Sequence, residues 1–409
     1  MQVNTDRSEQ IYTDNAATSF PKPPEVLAAM VHYAQRTGAS AGRGGYAQAM
    51  ESAEIIMVCR QRLNTLFHGE NPNHFVFTLN CTDALNMAIG GWLKSGDHAI
   101  CTAMDHNSIL RPLHELTRRG IITQTRVAAD HITGLVDPQA IAGAIRPNTR
   151  LIAVGHGSNV TGTVQPIAEI GQIAKRHNIA FLVDAAQTAG HIPLDVQKDK
   201  IDFLAAPGHK GLLGPLGTGF LYIRPGLEDS LCTLRQGGTG SISDQDIQPT
   251  FMPDKFESGS HNAIGIAGLS AGLAWILKRG ITSLANHQRE LCAAFIESLR
   301  GIEGLRFMGP QGVEDRVGVF SVRLAGHDPL RLAAQLEKDF GILTRAGLHC
   351  APGAHETMGT HTRATPDPHG AAGTTRLSFG PFLTARQVRF CGEALATITA
   401  GATVAGRKA

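Results

Sequence analysis

The chain of 409 residues is long enough to form two or three domains. Its 37 basic and 35 acidic side chains leave a net charge of +2, and no long block carries one sign, which argues against nucleic acid or an anionic membrane as a partner. With 42% hydrophobic and 18% charged residues, the composition excludes a disordered chain and predicts a compact one.

The N-terminus, the most apolar stretch and the cysteines bear on the compartment. The stretch 263–277 is shorter than the ~20 residues that cross a bilayer, and the first residues lack the basic and apolar pattern of a secretory signal. We therefore expect a cytoplasmic protein. The seven cysteines form no C-x-x-C pair, which disfavours a disulfide framework or a structural zinc site. Most are expected to be reduced and buried.

Helical periodicity alternates with short apolar runs over most of the chain. The first predicted helices lie at 25–35, 53–67, 82–93, 108–118, 139–145 and 167–175. The predicted strands between and after them lie at 75–78, 99–102, 123–127, 151–154, 181–184, 203–205 and 219–223. This alternation predicts an α/β fold with a mainly parallel, seven-stranded sheet covered by helices on both faces.

A different pattern follows the Gly-rich segment 237–259. Helices are predicted at 263–279, 283–300, 329–339 and from residue 384 onward, with a strand at 317–324. This pattern predicts a smaller α+β domain in the C-terminal part. We place the large domain at 18–263 and build the small domain from 1–17 and 264–409.

Two polar residues follow apolar strands, where ligands collect in sheets of this kind. Asp184 ends the run 181–184, although a solvated helix cap would also explain it. Lys210 lies among glycines and apolar residues, where loss of water lowers the pKa of the amine and makes it available for Schiff-base chemistry; an ordinary surface lysine is the alternative. Together, the two residues are typical of a pyridoxal phosphate site.

Six ordered blocks of the chain carry a family resemblance. They are Thr13-Asp14-Asn15-Ala16-Ala17-Thr18, Asp105-His106-Asn107-Ser108, Ser158-Asn159-Val160-Thr161-Gly162, Val183-Asp184-Ala185-Ala186-Gln187, Gly208-His209-Lys210 and Arg376-Leu377-Ser378-Phe379. In order and spacing they resemble the class V aminotransferases, and within that family the cysteine desulfurases. The resemblance implies the fold type I of the pyridoxal-phosphate-dependent transferases and a homodimer with shared active sites.

The resemblance also implies roles for individual residues. Lys210 would bond the cofactor aldehyde, Asp184 would pair with the ring nitrogen, and Gln187 would bind the phenolic oxygen. The other cofactor contacts that it implies are His106 stacked on the ring, Asn159 near the phenolic oxygen, Thr82, Cys81 and His209 at the phosphate, and Thr239 at the phosphate of the neighbouring subunit. For Thr239 a flexible Gly-rich loop is the alternative. The implied substrate contacts are Arg376, Asn159 and Ala16, and His106 would also offer a proton acceptor.

Several positions depart from the family pattern. Asn80 and Cys81 stand where Gly-Thr is usual, which leaves the contribution of Cys81 open. Pro207 replaces a serine and has neither hydroxyl nor N–H, so that we expect one phosphate contact to be lost. Leu383 stands where the family has an asparagine, so the hydrogen bond of that side chain must be absent or replaced.

Cys350 decides which reaction the resemblance implies. It follows His349 in a segment that resembles the loop carrying the sulfur-accepting cysteine of the desulfurases, and we expect an accessible thiol there. A non-catalytic loop cysteine is the alternative. The other six cysteines are expected to be buried and inert.

The segment 353–373 lies between Cys350 and Arg376 and is expected to be a mobile active-site loop. Its length and its three histidines, His355, His361 and His369, depart from the compact version of this segment in the family, and the histidines suggest metal binding as an alternative. Their spacing lacks helical i, i+4 periodicity, so we predict no metal site.

The predicted function is conversion of L-cysteine to L-alanine, with the sulfur passing to Cys350 as a persulfide and then to an acceptor protein or a small thiol. One alternative is a lyase of the same family that acts on selenocysteine or a cysteine S-conjugate without a protein persulfide. A second, of another class, is a cofactor-binding scaffold or sulfur-sensing partner without turnover.

Overall fold

The structure is a computed structural model that describes residues 10–41, 44–242, 244–361 and 372–401. Its helices are α1 (Pro24–His32), α2 (Ala47–Phe67), α3 (Cys81–Trp92), α4 (Asn107–Arg118), α5 (Pro138–Gly143), α6 (Ile167–Arg176), α7 (Ala263–Arg279), α8 (Ile281–Ser298), α9 (Pro329–Phe340), α10 (Pro352–Thr357) and α11 (Ala385–Thr399). Its strands are β1 (Ile11–Tyr12), β2 (Phe75–Thr78), β3 (His98–Thr102), β4 (Thr123–Val127), β5 (Thr149–Gly155), β6 (Ala180–Asp184), β7 (Phe203–Pro207), β8 (Gly219–Ile223), β9 (Leu305–Phe307), β10 (Val319–Leu324), β11 (Ile342–Leu343), β12 (Arg345–Gly347) and β13 (Thr374–Ser378).

The large sheet has seven strands in the order β2-β8-β7-β6-β5-β3-β4. The strand β8 is antiparallel to both of its neighbours, and all other neighbouring pairs are parallel. Every residue of β3, β6 and β7 is buried, as expected for strands covered on both faces. The predicted mainly parallel seven-stranded sheet is therefore confirmed, and the bounds predicted for β2, β4 and β8 are those of the structure.

A second sheet of four antiparallel strands, in the order β12-β13-β10-β9, forms the C-terminal part. The short strand β1 pairs in parallel with β11, with Ile11 opposite Ile342. Ile11 also joins the apolar core of this part, together with Leu291 and Phe320. The sequence pattern does not predict β1, β9, β11 and β12, because runs of two or three residues carry no measurable period.

The predicted division at residues 263 and 264 remains a proposal. The pairing of β1 with β11 supports grouping the N-terminal arm with the small sheet. The helix α7 packs against α1 and α2, and its residues Ile266, Leu269 and Leu273 are buried in the core of the large sheet. This packing associates α7 with the large domain and favours a boundary after it.

In the parts of the chain that the structure describes, no single helix is both long and apolar enough to cross a membrane. Only α7 and α8 taken together pass that test, and they are bent by 83° relative to each other.

A buried ion pair fixes the segment that follows the large sheet. The side chains of Arg60 and Glu257 are each 3% exposed, and Arg60 Nη1 donates to Glu257 Oε1 at 2.7 Å. The same carboxylate accepts from the amide of Phe77 at 2.6 Å and lies 3.1 Å from His261 Nε2. Burial by itself raises the pKa of the Glu257 carboxyl, but Arg60 and His261 lower it to about 2.

We expect Arg60→Met to lower the free energy of unfolding by about 3–5 kcal/mol, because the substitution leaves a carboxylate buried without its cation. Urea unfolding at pH 7 measures the difference. Arg118→Met is the control: Arg118 pairs with Glu115 at the surface, so its loss should leave the unfolding midpoint close to that of the parent. A parent-like midpoint for Arg60→Met would contradict the expectation.

Candidate active site

Of the six strands whose carboxyl ends lie at one edge of the large sheet, five lead into the candidate site. The strands β3, β5, β6 and β7 are parallel, and β2 runs in the same direction because β8 is antiparallel to both β2 and β7. A cavity lies at this edge, and we call it the lysine cavity. Its lining contains the predicted residues Cys81, Thr82, His106, Asn159, Asp184, Gln187, His209 and Lys210.

Asp184 is the last residue of β6 and is buried. Its Oδ1 atom accepts hydrogen bonds from the Cys81 thiol at 3.3 Å and from the Ala186 amide at 2.9 Å. Both bonds use the same oxygen, so Oδ2 can accept from a further donor in the cavity.

Lys210 lies in the turn after β7 and lines the same cavity as Asp184. Burial lowers the pKa of the amine, whereas the negative charge of Asp184 raises it; the net effect is a lowered pKa. A neutral amine is therefore more available than on a surface lysine. The alternative interpretations of these two residues, a solvated helix cap for Asp184 and a surface-loop lysine for Lys210, do not agree with the burial of the two side chains in the cavity.

His106 caps the N-terminus of α4, where its Nδ1 accepts from the Ser108 amide at 3.1 Å. Burial lowers the pKa of His106 to about 4, so its ring is neutral at neutral pH.

The preceding residue, Asp105, accepts hydrogen bonds from the amides of Thr102 and Gly155, each at 2.6 Å. Asp105 thus joins the ends of β3 and β5; sequence reasoning assigned it no role, although it belongs to one of the quoted blocks.

The start of α3 offers free hydrogen-bond donors to the cavity. Asn80 caps the helix by accepting from the Asp83 amide at 3.0 Å, and the amides of Cys81 and Thr82 have no acceptor among the described residues. The buried Nδ1 atom of His209 also has no partner in this part of the chain. Amides at a helix N-terminus together with such a ring nitrogen are well suited to an anion.

Arg376 lies on β13 and reaches the cavity through Asn159. Its Nη1 donates to the Asn159 carbonyl at 3.3 Å, and its Nη2 pairs with Asp14 Oδ1 at 2.7 Å. The buried Nε atom has no partner among the described residues, so Arg376 keeps a donor for a carboxylate. Sequence reasoning did not foresee the Asp14 contact, although Asp14 stands in the first quoted block.

Cys350 is exposed in the turn between β12 and α10. It lines a recess, here called the thiol recess, which shares Thr82, His106 and Ser108 with the lysine cavity. The expected accessible thiol is thus present beside the cavity.

Of the other six cysteines, five are buried as expected, but Cys232 is exposed. The expectation is wrong for Cys232 because its apolar neighbours in sequence do not cover it.

The structure shows where the residues that depart from the family pattern lie. The Cys81 side chain binds Asp184, and Pro207 ends β7 at the cavity wall. Leu383 is buried in the apolar core of the small sheet, where a leucine packs better than an asparagine.

The remaining predicted residues are more peripheral. Gln187 Nε2 donates to the Ala16 carbonyl at 3.0 Å, so Ala16 borders the cavity through its backbone. Thr239 instead contacts Ser241 at 3.0 Å and is not among the residues that line the lysine cavity.

The segment 353–373 begins with the helix α10, and residues 362–371, including His369, lie outside the described residues. His355 is buried and its Nδ1 lies 2.7 Å from Thr360 Oγ1. Within the described ranges, no three His, Cys, Asp or Glu side chains are grouped so as to hold a metal ion.

The fold and the cavity define an α/β protein in which a lysine and a carboxylate line one cavity where parallel strands end, with an exposed thiol nearby. The family model for class-V aminotransferases matches residues 11–390. A probable cysteine desulfurase of Methanothermobacter thermautotrophicus is 33% identical over 394 residues, covering 95% of each chain. The chain belongs to the class-V aminotransferase family.

Solved structures agree with this assignment. The apo structure of a cysteine desulfurase from Thermococcus onnurineus has a TM-score of 0.88 at 30% identity and covers 98% of this chain and 99% of its own. A cysteine desulfurase from Escherichia coli has a TM-score of 0.85 at 26% identity and covers 98% of both chains. The resemblance to the family is thereby confirmed, and the α/β architecture with its large, mainly parallel sheet is consistent with fold type I.

The burial of His156 gives the stability of the protein a predictable pH dependence. His156 follows β5 directly and is 5% exposed, and its Nδ1 has no partner in the described part of the chain. Burial lowers the pKa of His156 to about 3, whereas an unfolded chain has a value of about 6.5. Between these two values the unfolded chain binds more protons, so the stability that neutral His156 contributes is present above pH 6.5 and falls as the pH decreases towards 3.

We therefore expect the parent to lose stability relative to His156→Gln as the pH is lowered from 7 to 4, because glutamine does not titrate. Urea unfolding of both proteins at pH 7, 6, 5 and 4 tests this. A stability difference that stays constant over the series would show that His156 is not held neutral.

Proposed function

We propose that this protein is a pyridoxal-phosphate-dependent cysteine desulfurase, which takes the sulfur of L-cysteine onto Cys350 and releases L-alanine. The observation that carries the proposal is the presence of both Lys210 and Asp184 in the lining of one cavity, with the exposed thiol of Cys350 in the adjoining recess. Family membership and the names of the similar proteins support it.

The donor set of the lysine cavity fits the cofactor. The Lys210 amine would bond its aldehyde, and Oδ2 of Asp184 would pair with its ring nitrogen. The free amides of Cys81 and Thr82 and the unpartnered His209 Nδ1 suit its phosphate. When bound, pyridoxal phosphate withdraws electrons from the substrate and so makes the Cα–H bond acidic. The Asp184 carboxylate would sustain that withdrawal by holding a proton at the ring nitrogen.

The chain's own residues perform the remaining tasks. Arg376 orients the substrate by its carboxylate, using the donor that Asp14 and Asn159 leave free. The Lys210 amine, with its lowered pKa, accepts the proton from Cα and returns it. The Cys350 thiol gives up its proton, and the thiolate forms a new S–S bond to the substrate sulfur while the substrate C–S bond breaks. The electron pair of that bond stays with the carbon, which takes up one proton in place of the one that the thiol released. Alanine leaves, and a persulfide remains on Cys350.

We also propose a homodimer with shared sites and a thiol as the sulfur acceptor. Leu27 on α1, Met50 on α2 and Ile264 on α7 are exposed apolar side chains on helices that pack together, which favours a partner surface there. Thr239 does not line the lysine cavity of its own chain, as expected of a residue that contributes to the cavity of the partner subunit.

The exposure of Cys350 leaves its persulfide open to an acceptor protein or a small thiol.

The cofactor role of Lys210 predicts a covalent adduct. After incubation with pyridoxal phosphate and reduction with borohydride, the parent should carry the label on the peptide that contains Lys210, and Lys210→Ala should carry none there. Lys22→Ala is the control, because burial also lowers the pKa of Lys22, to about 8. It should still be labelled at Lys210; mass spectrometry after digestion reads out the site. Labelling of the parent at other lysines only would contradict the assignment.

The role of Cys350 predicts loss of desulfuration on substitution. Cys350→Ser should reduce alanine formation from L-cysteine by at least about 100-fold and abolish the persulfide detected by intact mass. Cys232→Ser, which removes the other exposed thiol, should retain both. Full alanine formation by Cys350→Ser would instead favour a lyase without a protein persulfide, and the absence of turnover in the parent would favour a scaffold.

A further inference from the structure

The backbone at the proposed nucleophile is in a left-handed conformation. His349 has φ = 49° and Cys350 has φ = 58°, two consecutive non-glycine residues in a region that such residues seldom occupy. A conformation of this kind persists only where surrounding contacts impose it. The contacts that hold residues 349 and 350 therefore decide where the thiol points.

Each carbonyl of this pair accepts a hydrogen bond from a residue beside the lysine cavity. The side-chain amide of Asn159 donates to the His349 carbonyl at 2.6 Å, and the backbone amide of Asn107 donates to the Cys350 carbonyl at 2.9 Å. Asn159 and His349 are 9% and 5% exposed, so water competes little for the first of these bonds.

Asn159 is itself held by the proposed substrate-binding residue. Arg376 Nη1 donates to the backbone carbonyl of Asn159, while the Asn159 side chain binds the turn that carries Cys350. A continuous series of contacts thus runs from the guanidinium of Arg376 to the backbone of the nucleophile.

We propose that Asn159 is a positioning residue for the Cys350 thiol: its amide holds the His349 carbonyl and thereby keeps residues 349 and 350 in the conformation that directs the thiol to the thiol recess. The resemblance assigns Asn159 to the cofactor and the substrate, and the contact with His349 adds this task. The inference rests on the proposed function only in that Cys350 receives the sulfur.

Hydrogen exchange of the full chain, with and without added pyridoxal phosphate, tests the inference. Two amides report on the turn, that of Asn107, which donates to the Cys350 carbonyl, and that of Ala351, which donates to the Leu348 carbonyl. Asn159→Ala should raise the exchange rate of both about fivefold, the effect of losing one hydrogen bond. Exchange in β6 and the urea midpoint should stay near parent values.

A matched control comes from the same cavity. Gln187→Ala removes another side-chain amide of the lining, one that binds Ala16 and not the turn, and it should leave exchange at Asn107 and Ala351 unchanged. If Asn159→Ala does not fold, Asn159→Asp is nearly isosteric, has no donor and should give the same local increase. In turnover, alanine formation by Asn159→Ala should fall about tenfold while the Lys210 label is retained.

Unchanged exchange at both amides, or an equal rise throughout the chain, would overturn the inference. The exchange measurement needs neither cysteine nor catalysis. Its outcome is therefore independent of the alanine and persulfide assays that decide the proposed function.

Discussion

Burial of the Lys210 amine in the cavity that also contains the Asp184 carboxylate is the constraint around which the molecule is arranged. Removal from water disfavours the ammonium form, and the neighbouring carboxylate only partly offsets this effect. A chain can maintain such a site only on a rigid support. The parallel strands β6 and β7 provide it, since Asp184 is in register with Ala205, five residues before Lys210. Asp105 fixes the adjoining ends of β3 and β5 with two short hydrogen bonds.

The small sheet completes this site from the other side. The strand β13 supplies Arg376, and the turn after β12 supplies Cys350. Neither belongs to the large sheet, yet both are bound to it, Arg376 through the Asn159 carbonyl and Cys350 through the Asn107 amide. The cavity and the thiol recess share three lining residues, so the sites proposed for proton transfer and for sulfur transfer are adjacent.

The large sheet could be predicted almost completely, because runs such as 181–184 are continuously apolar and alternate with helical periodicity. The residues at its carboxyl edge could be predicted for the same reason, together with the family resemblance. Contacts between distant segments were beyond sequence reasoning: neither the Asp14–Arg376 pair nor the bond from Asn159 to His349 leaves a periodic signal. Side-chain burial outside regular elements also escaped it, as the exposed Cys232 shows.

The Asp14–Arg376 ion pair has a consequence for biosynthesis. Its partners are separated by 362 positions in the chain, and at about 5–20 residues per second the ribosome needs roughly 20–70 s to connect them. The large sheet can form on the emerging polypeptide, because its last strand ends at Ile223, whereas Arg376, the proposed carboxylate-binding residue, is added more than a hundred residues later. With the proposed roles, a nascent chain can form its lysine cavity well before Arg376 is available to bind a substrate, which would separate cofactor capture from the onset of turnover.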